Sequence, residues 1–358
     1  MKKVSLNDIA KSLSVSKALV SFVLNGQGEE KGISSKTQER VRAKAKDLNY
    51  KPNFIARGLR LGKSHTIGLI VADISNKFYA KIAKRIEEVA AENNYHLIIC
   101  SSDEDPVKEL GLIEMLRERQ VDGLIISTTQ KDTTIFKQLK KEAFPFVLID
   151  RNLPQLQTNY VGVENIKGAY LATQKLLTNN YQKIALLKIS PFYLSTIKER
   201  ELGYRAALKE HQIKVNNKLI CEIDFNDVEG HLREVLNELM QPAIGIHAIF
   251  SLNNHITIAC LEYLNELNIR VPQDLAIISF DDIELFRLSF PTITAIAQPI
   301  EEIGGQAVKI LFETMNGELE QKTKNISLPV KLIERRSCGS FLYNESNERK
   351  RQLTHINN

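Results

Sequence analysis

The sequence predicts two folds on one chain: a small all-α helix-turn-helix head, followed by a larger two-lobed α/β body. Two observations carry this. Charge is segregated, with 14 Lys and Arg against 5 Asp and Glu in residues 1–63, a balance of +9, and 34 against 38 in the remainder, a balance of −4. The apolar period also changes, from helical spacing before residue 50 to strand-sized apolar runs alternating with amphipathic segments from Thr66 onward. The chain has 358 residues, 43% hydrophobic and 25% charged, which is more than one ordinary core and typical of folded domains.

In the head, Ser5 is an N-cap with Asp8 three residues on, an acidic capping box, and Leu6, Ile9, Ala10 and Leu13 follow at helical spacing. The Ser14-Val15-Ser16 segment breaks that helix. Ser16 then caps a second one through Val20, Val23 and Leu24, which stops at Asn25-Gly26. A flexible GQGEEKG stretch leads to a third helix opened by a capping box at Ser35–Gln38, with Val41, Ala45 and Leu48 on one face. In such a bundle the second helix can enter the major groove, placing Lys17, Ala18, Ser21 and Phe22 toward base edges. A basic surface also fits plain solvation, and three short helices also fit a protein-binding module.

In the body, apolar runs at residues 67–72, 97–100, 123–127 and 146–150 alternate with amphipathic runs at 82–92 and 110–117. This is the βαβ pattern of a parallel sheet covered on both faces. A second series runs through residues 170–177, 184–188, 204–208, 248–251 and 276–280 and ends at 303–313, giving a second lobe.

The N-terminus has no apolar signal segment, and no run approaches 18 apolar residues, so a cytoplasmic protein that does not span a membrane is expected. Cys100, Cys221, Cys260 and Cys338 are scattered, with no CxxC pair and no metal-ligand spacing, which fits free thiols in a reducing compartment. No GxGxxG, Walker, GxSxG or HExxH motif is present, so neither catalytic residues nor a cofactor or metal is expected.

The segments VSLNDIAKSLSVSKALVSFVLNG, TQERVRAKAKDLNYKPNFIARGLRLGKSHTIGLIVADISNKFYA, RQVDGLIIS, FVLIDR, KERELGYRAAL and NIRVPQDLAIISFDD, in that order, resemble the lactose-repressor (LacI/GalR) family of regulators over nearly the whole chain. The resemblance implies a body like a type I periplasmic binding protein. It implies DNA reading by Lys17, Ala18 and Ser21 with Leu6 beside them, and phosphate contacts at Ser16 and Asn25. Phe22 and Ala18-Leu19 stand where relatives commonly carry Arg and Ser/Thr-Thr. A hinge helix is implied after Pro52, with Leu59 as a minor-groove wedge supported by Ala56 and Asn53; a plain linker with Leu59 buried is the alternative.

The divisions implied are a head at 1–51, a hinge helix and linker at 52–63, a body at 64–340 and a polar tail at 341–358. The chain would cross between lobes near residues 165, 294 and 326. The N-lobe would then comprise about 64–165 and 295–326, and the C-lobe about 166–294 and 327–340.

Between the lobes, a small-molecule effector, a saccharide by resemblance, would meet Phe78, Tyr79, Asp150, Arg200, Asn253, Asp281 and Gln298. Phe78 could instead be core and Arg200 a surface partner of Glu199 or Glu201, while Asp282 would cap the next turn. Asn254 stands where the family usually has Asp. The functional expectation is a homodimeric transcription regulator binding a two-fold symmetric site in double-stranded DNA. The alternative is a solute-binding protein for sugar uptake, with an enzyme third. The tail shows no leucine heptads, so a dimer rather than a coiled-coil tetramer is expected.

Overall fold

The computed structural model describes residues 4–50, 63–319 and 322–340, so the expected hinge positions Asn53, Ala56 and Leu59, and the tail, lie outside the described residues. The chain divides into two units, Met1–Ser64 and His65–Asn358.

The first unit holds α1 (Leu6–Leu13), α2 (Lys17–Leu24) and α3 (Ser35–Asp47). Their apolar faces meet in one core of Ile9, Ala10, Val20, Val23, Val41 and Ala45, against which Leu6, Leu19 and Leu24 pack. The Ser5 amide donates to Asp8 Oδ2 at 2.8 Å, and Ser16 Oγ accepts from the Leu19 amide at 3.1 Å, so both expected N-caps form. The third differs: the cap is Ser34, not Ser35, and its Oγ accepts from the Thr37 amide at 3.4 Å. Gln38 instead turns inward and donates to the Ile33 carbonyl, because Gly28 leaves no Cβ in its way. The segment read as flexible is a run of turns, with Ile33 N bonded to Gly28 O at 2.8 Å.

The second unit contains two six-stranded sheets. The first is built from β1 (Thr66–Val71), β2 (His96–Ser101), β3 (Gly123–Ile126), β4 (Phe146–Ile149), β5 (Tyr160–Val163) and β11 (Asn325–Leu328), in the order β11-β5-β4-β3-β1-β2 and entirely parallel. The second is built from β6 (Ile184–Ile189), β7 (Ile220–Ile223), β8 (Ala248–Ser251), β9 (Ala276–Phe280), β10 (Thr294–Ala297) and β12 (Lys331–Ile333), in the order β12-β10-β9-β8-β6-β7. Only its β10–β12 pair is antiparallel. Central strands such as β3, β4, β8 and β9 are buried throughout, as strands covered by helices on both faces must be.

The helices are α4 (Lys77–Glu92), α5 (Pro106–Glu118), α6 (Thr134–Lys141), α7 (Asn165–Thr178), α8 (Ser195–Glu210), α9 (Val228–Leu239), α10 (Asn254–Glu266), α11 (Glu284–Leu288) and α12 (Ile300–Met315). Pairing fixes where the chain changes lobes. The first crossing is at Glu164, between β5 and α7, close to the expected residue 165. The second falls at residues 298–299 rather than near 294, because β10 first completes its pairing with β9 and β12; α12 then packs on α4 and the first sheet. The third follows Leu328, because β11 stays in register with β5 to Val163.

Candidate functional sites: a helix-turn-helix surface and an interlobe cleft

In the head, Lys17 and Ala18 are exposed at the start of α2, Ser16 is exposed as its cap, and Ser21 and Phe22 are half-buried one turn later. The first turn of α2 carries no acidic residue, so its amide dipoles and Lys17 present positive potential to an anion. Asn25 Nδ2 donates to the Ser21 carbonyl at 2.7 Å and to Ser21 Oγ at 3.2 Å, which fixes the end of the helix. The Lys31 ammonium lies 5.7 Å from the Phe22 ring centre. Leu6 is half-buried at the start of α1 and serves the core as well.

All seven ligand candidates of the body, spread between residues 78 and 298, line one narrow cleft with a cavity volume of about 50 Å³. They arrive from the carboxyl ends of strands and from the adjoining helix starts. Asp150 ends β4 and Asp281 ends β9, both in the left-handed backbone region with φ 61° and 72°. Phe78 and Tyr79 begin α4, Asn253 caps α10, Arg200 lies on α8 and Gln298 sits at the second crossing. The lobes also touch directly: Asn254 Nδ2 donates to Asn76 Oδ1 at 2.9 Å, the Asn152 amide to Ser195 Oγ at 2.9 Å, and the Tyr193 hydroxyl to the Thr129 carbonyl at 2.6 Å. Lys81 and Glu284 form an ion pair across the mouth.

Asp150 Oδ2 accepts from the Tyr79 hydroxyl at 2.8 Å, and burial holds that phenol well above its ordinary pKa, opposed by Arg151. Asp281 accepts from Gln298 Nε2 and, at 3.5 Å, from Asn254 Nδ2, a bond an aspartate at 254 could not donate. Burial raises the Asp281 pKa, against the lowering pull of Arg200 and Gln298. Gln298 Oε1 is buried with no partner among the described residues.

Arg200 is buried, not a surface partner of its neighbours: Nε donates to Asn165 Oδ1 at 2.9 Å, Nη1 to the Leu252 carbonyl at 2.7 Å, and the guanidinium lies 3.7 Å from the Phe280 ring centre. Glu199 bonds Asn165 instead, and Glu201 pairs with Lys188 and Arg205. Phe78 is buried but faces the cleft edge-on to Tyr79. Asp282 does not cap a turn; both its oxygens pair with Arg335 at 2.8 Å. Sequence reasoning missed Glu104 and Arg151, which also line the cleft and pair bidentately. Arg151 directly follows Asp150 and was within reach of the FVLIDR segment, whereas nothing local marks Glu104.

No helix among the described residues is long and apolar enough to cross a membrane, and no group of three potential metal ligands occurs among them.

Residues 5–53 match the family described as bacterial regulatory proteins, lacI family, and residues 173–338 match a periplasmic binding protein-like domain. The HTH-type transcriptional regulator DegA of Bacillus subtilis (strain 168) is 32% identical over 340 residues, covering 94% of this chain and 98% of its own. The structure of a transcriptional regulator CelR–cellobiose complex is 26% identical with TM-score 0.69, covering 94% of this chain and all of that one. A lac repressor dimer bound to operator and an anti-inducer, 24% identical with TM-score 0.80 and covering 94% and 99%, shares the fold. With a helix-turn-helix head and a two-sheet body both accounted for by these matches, the chain belongs to the lacI family of DNA-binding bacterial transcriptional regulators.

Proposed function

We propose that this regulator is a cytoplasmic homodimer whose affinity for a two-fold symmetric operator is set by a saccharide held between the lobes. Phe78, Tyr79, Asp150, Arg200, Asn253, Asp281 and Gln298 form the effector site. The reading is carried by the convergence of these seven positions on one cleft rich in hydrogen-bonding groups, with an aromatic edge for the CH face of a sugar ring. The cellobiose held by the CelR relative supports the ligand class.

DNA is read by Lys17, Ala18, Ser21 and Phe22, with Ser16 and Asn25 at phosphates, Leu6 alongside, and Leu59 as a minor-groove wedge supported by Ala56 and Asn53. Phe290 and Leu288, 95% and 82% exposed beside an apolar groove of the C-lobe, are the face that pairs two copies. A ligand shifts operator affinity only by its differential affinity for the DNA-competent and incompetent arrangements.

The test is selection of the full-length protein against random duplexes at moderate salt, with and without a sugar panel. A palindromic site whose occupancy responds to one sugar is expected. Only weak, steeply salt-dependent binding without enrichment would refute it.

A further inference from the structure

Among the described residues, Glu104 is the cleft carboxylate whose two oxygens both accept from one guanidinium. Its Oε2 accepts from Arg151 Nη1 at 2.6 Å and its Oε1 from Arg151 Nη2 at 2.5 Å, and both side chains are 8% exposed on the cleft wall. The backbone beneath is unusual. Asp103 and Glu104 are consecutive left-handed residues, φ 52° and 57°, in the turn between β2 and α5, a conformation side chains other than Gly, Asn and Asp rarely adopt. The turn is held there by Asp103 N on the Ala72 carbonyl at 2.7 Å, Asp105 N on the Ser102 carbonyl at 3.0 Å, and the Lys108–Asp103 ion pair. Strain of this kind is kept where the side chain it aims has work to do.

With Arg151 occupied, the cleft carries four carboxylates, Asp73, Glu104, Asp150 and Asp281, against two guanidiniums, a formal balance of −2 with His255 aside. Asp150 Oδ1 and Gln298 Oε1 receive no bond among the described residues, Asp281 Oδ2 takes a long 3.5 Å bond from the Asn254 side chain, and Arg151 Nε, 3.6 Å from Asp150 Oδ2, is buried without a hydrogen bond. A hydroxyl-rich ligand can donate to those acceptors, whereas a carboxylate or phosphate would enter against the charge balance.

We infer that Glu104 sets the charge selectivity of the effector site: by sequestering Arg151 it makes the cleft take an uncharged polyhydroxylated ligand and reject its carboxylated or phosphorylated counterpart. This rests on the reading of the cleft as a saccharide site. It assigns a specificity role to a residue that contributes no free group of its own.

The test pairs neutral and anionic probes, galactose with galacturonate, ribose with ribose 5-phosphate, and cellobiose with cellobionate. Calorimetric titration uses the full-length protein, Glu104→Gln and Glu104→Gln/Arg151→Gln. The wild type is expected to bind a neutral probe and to take its anionic partner about tenfold more weakly or worse. Glu104→Gln should bring that ratio toward one, and the double variant, which removes one charge of each sign, should restore it. A wild type that takes the anion as well as the neutral sugar overturns the role of Glu104 and leaves the saccharide site standing, as does an unchanged ratio in Glu104→Gln with a native circular dichroism spectrum. Should Glu104→Gln not fold, the wild-type ratio and that of the double variant decide. No binding of any sugar would take down the saccharide reading and this inference with it.

Discussion

Arg200→Met is the perturbation with the most specific expected outcome, because three separate contacts hold the guanidinium. Its loss leaves Asn165 Oδ1 and the Leu252 carbonyl without their donor in a buried site, at about 1–3 kcal/mol each. It also removes a cation resting on the Phe280 ring, worth about 1–2 kcal/mol when desolvated. Against this, burying a guanidinium with no carboxylate at ion-pair distance among the described residues is itself costly, and methionine relieves that cost. The net expectation is a loss of about 2–3 kcal/mol, and for a body of this size a fall in Tm of roughly 3–5 °C. Arg200→Lys should fare little better despite its charge, since an ammonium cannot span both acceptors and lie flat on the ring. Paired thermal melts and titration with the best-binding neutral sugar check this. A Tm within about 1 °C of wild type would refute the contacts as the reason Arg200 is buried, and a normal fall in Tm with unaltered sugar affinity would reduce Arg200 to a structural residue.

Gly203→Ala would put a Cβ 2.1 Å from the Ile166 carbonyl, backbone that cannot step aside, so the α7–α8 packing should lose at least about 2 kcal/mol in a denaturant melt. Ser16→Ala removes the cap on α2 and should cost the head about 1 kcal/mol while weakening operator binding, read together by thermal melt and DNA titration. Asp281→Asn tests the raised pKa. Burial disfavours the ionised form in the folded state, so the wild type loses stability as pH rises from the ordinary carboxylate value through the raised one. The variant should melt higher than wild type near pH 7, the two should converge at or below about pH 4, and a gap independent of pH would refute the assignment. Phe290→Glu, placing a charge on the exposed C-lobe face, should shift sedimentation from dimer to monomer, and a retained dimer would move the interface elsewhere.

How much of this was legible in the sequence follows the range of the physics. Caps are local, so Ser5–Asp8 and Ser16 could be read directly; the error at Ser34 arose because two adjacent serines offer the same cap, and the choice depends on Gln38 reaching back to Ile33 past Gly28. Most central strand runs were equally visible, but β5, β7, β11, α6, α9 and α10 were not read; the partly exposed edge strand Ile220–Ile223, for one, lacks a continuous apolar run. Lobe membership near residues 294–298 turns on which sheet pairs with β10, a long-range fact. The seven cleft residues came from resemblance rather than pattern. Glu104 was invisible for a plainer reason: an Asp-Glu-Asp run reads as solvated loop, and only the left-handed pair at 103–104 turns one of its carboxylates onto a buried arginine.

The sheet orders give the cleft its logic. Reading β11-β5-β4-β3-β1-β2 beside β12-β10-β9-β8-β6-β7, β4 and β9 hold the same place in their sheets, and each ends in a left-handed aspartate, Asp150 and Asp281. Aspartate tolerates that conformation better than most residues and can turn the chain sharply at a strand end. Each lobe thus contributes one carboxylate by the same local device. The two diverge in what surrounds them: Tyr79 and Ser127 donate to Asp150, Gln298 and Asn254 to Asp281. Because burial raises the Asp281 pKa and the nearby Asp150 carboxylate adds to it, the facing acids favour lobe closure most when donors stand between them. If the proposed saccharide site is right, a hydroxyl-rich ligand would supply those donors to both lobes at once and so couple its binding to the interlobe angle.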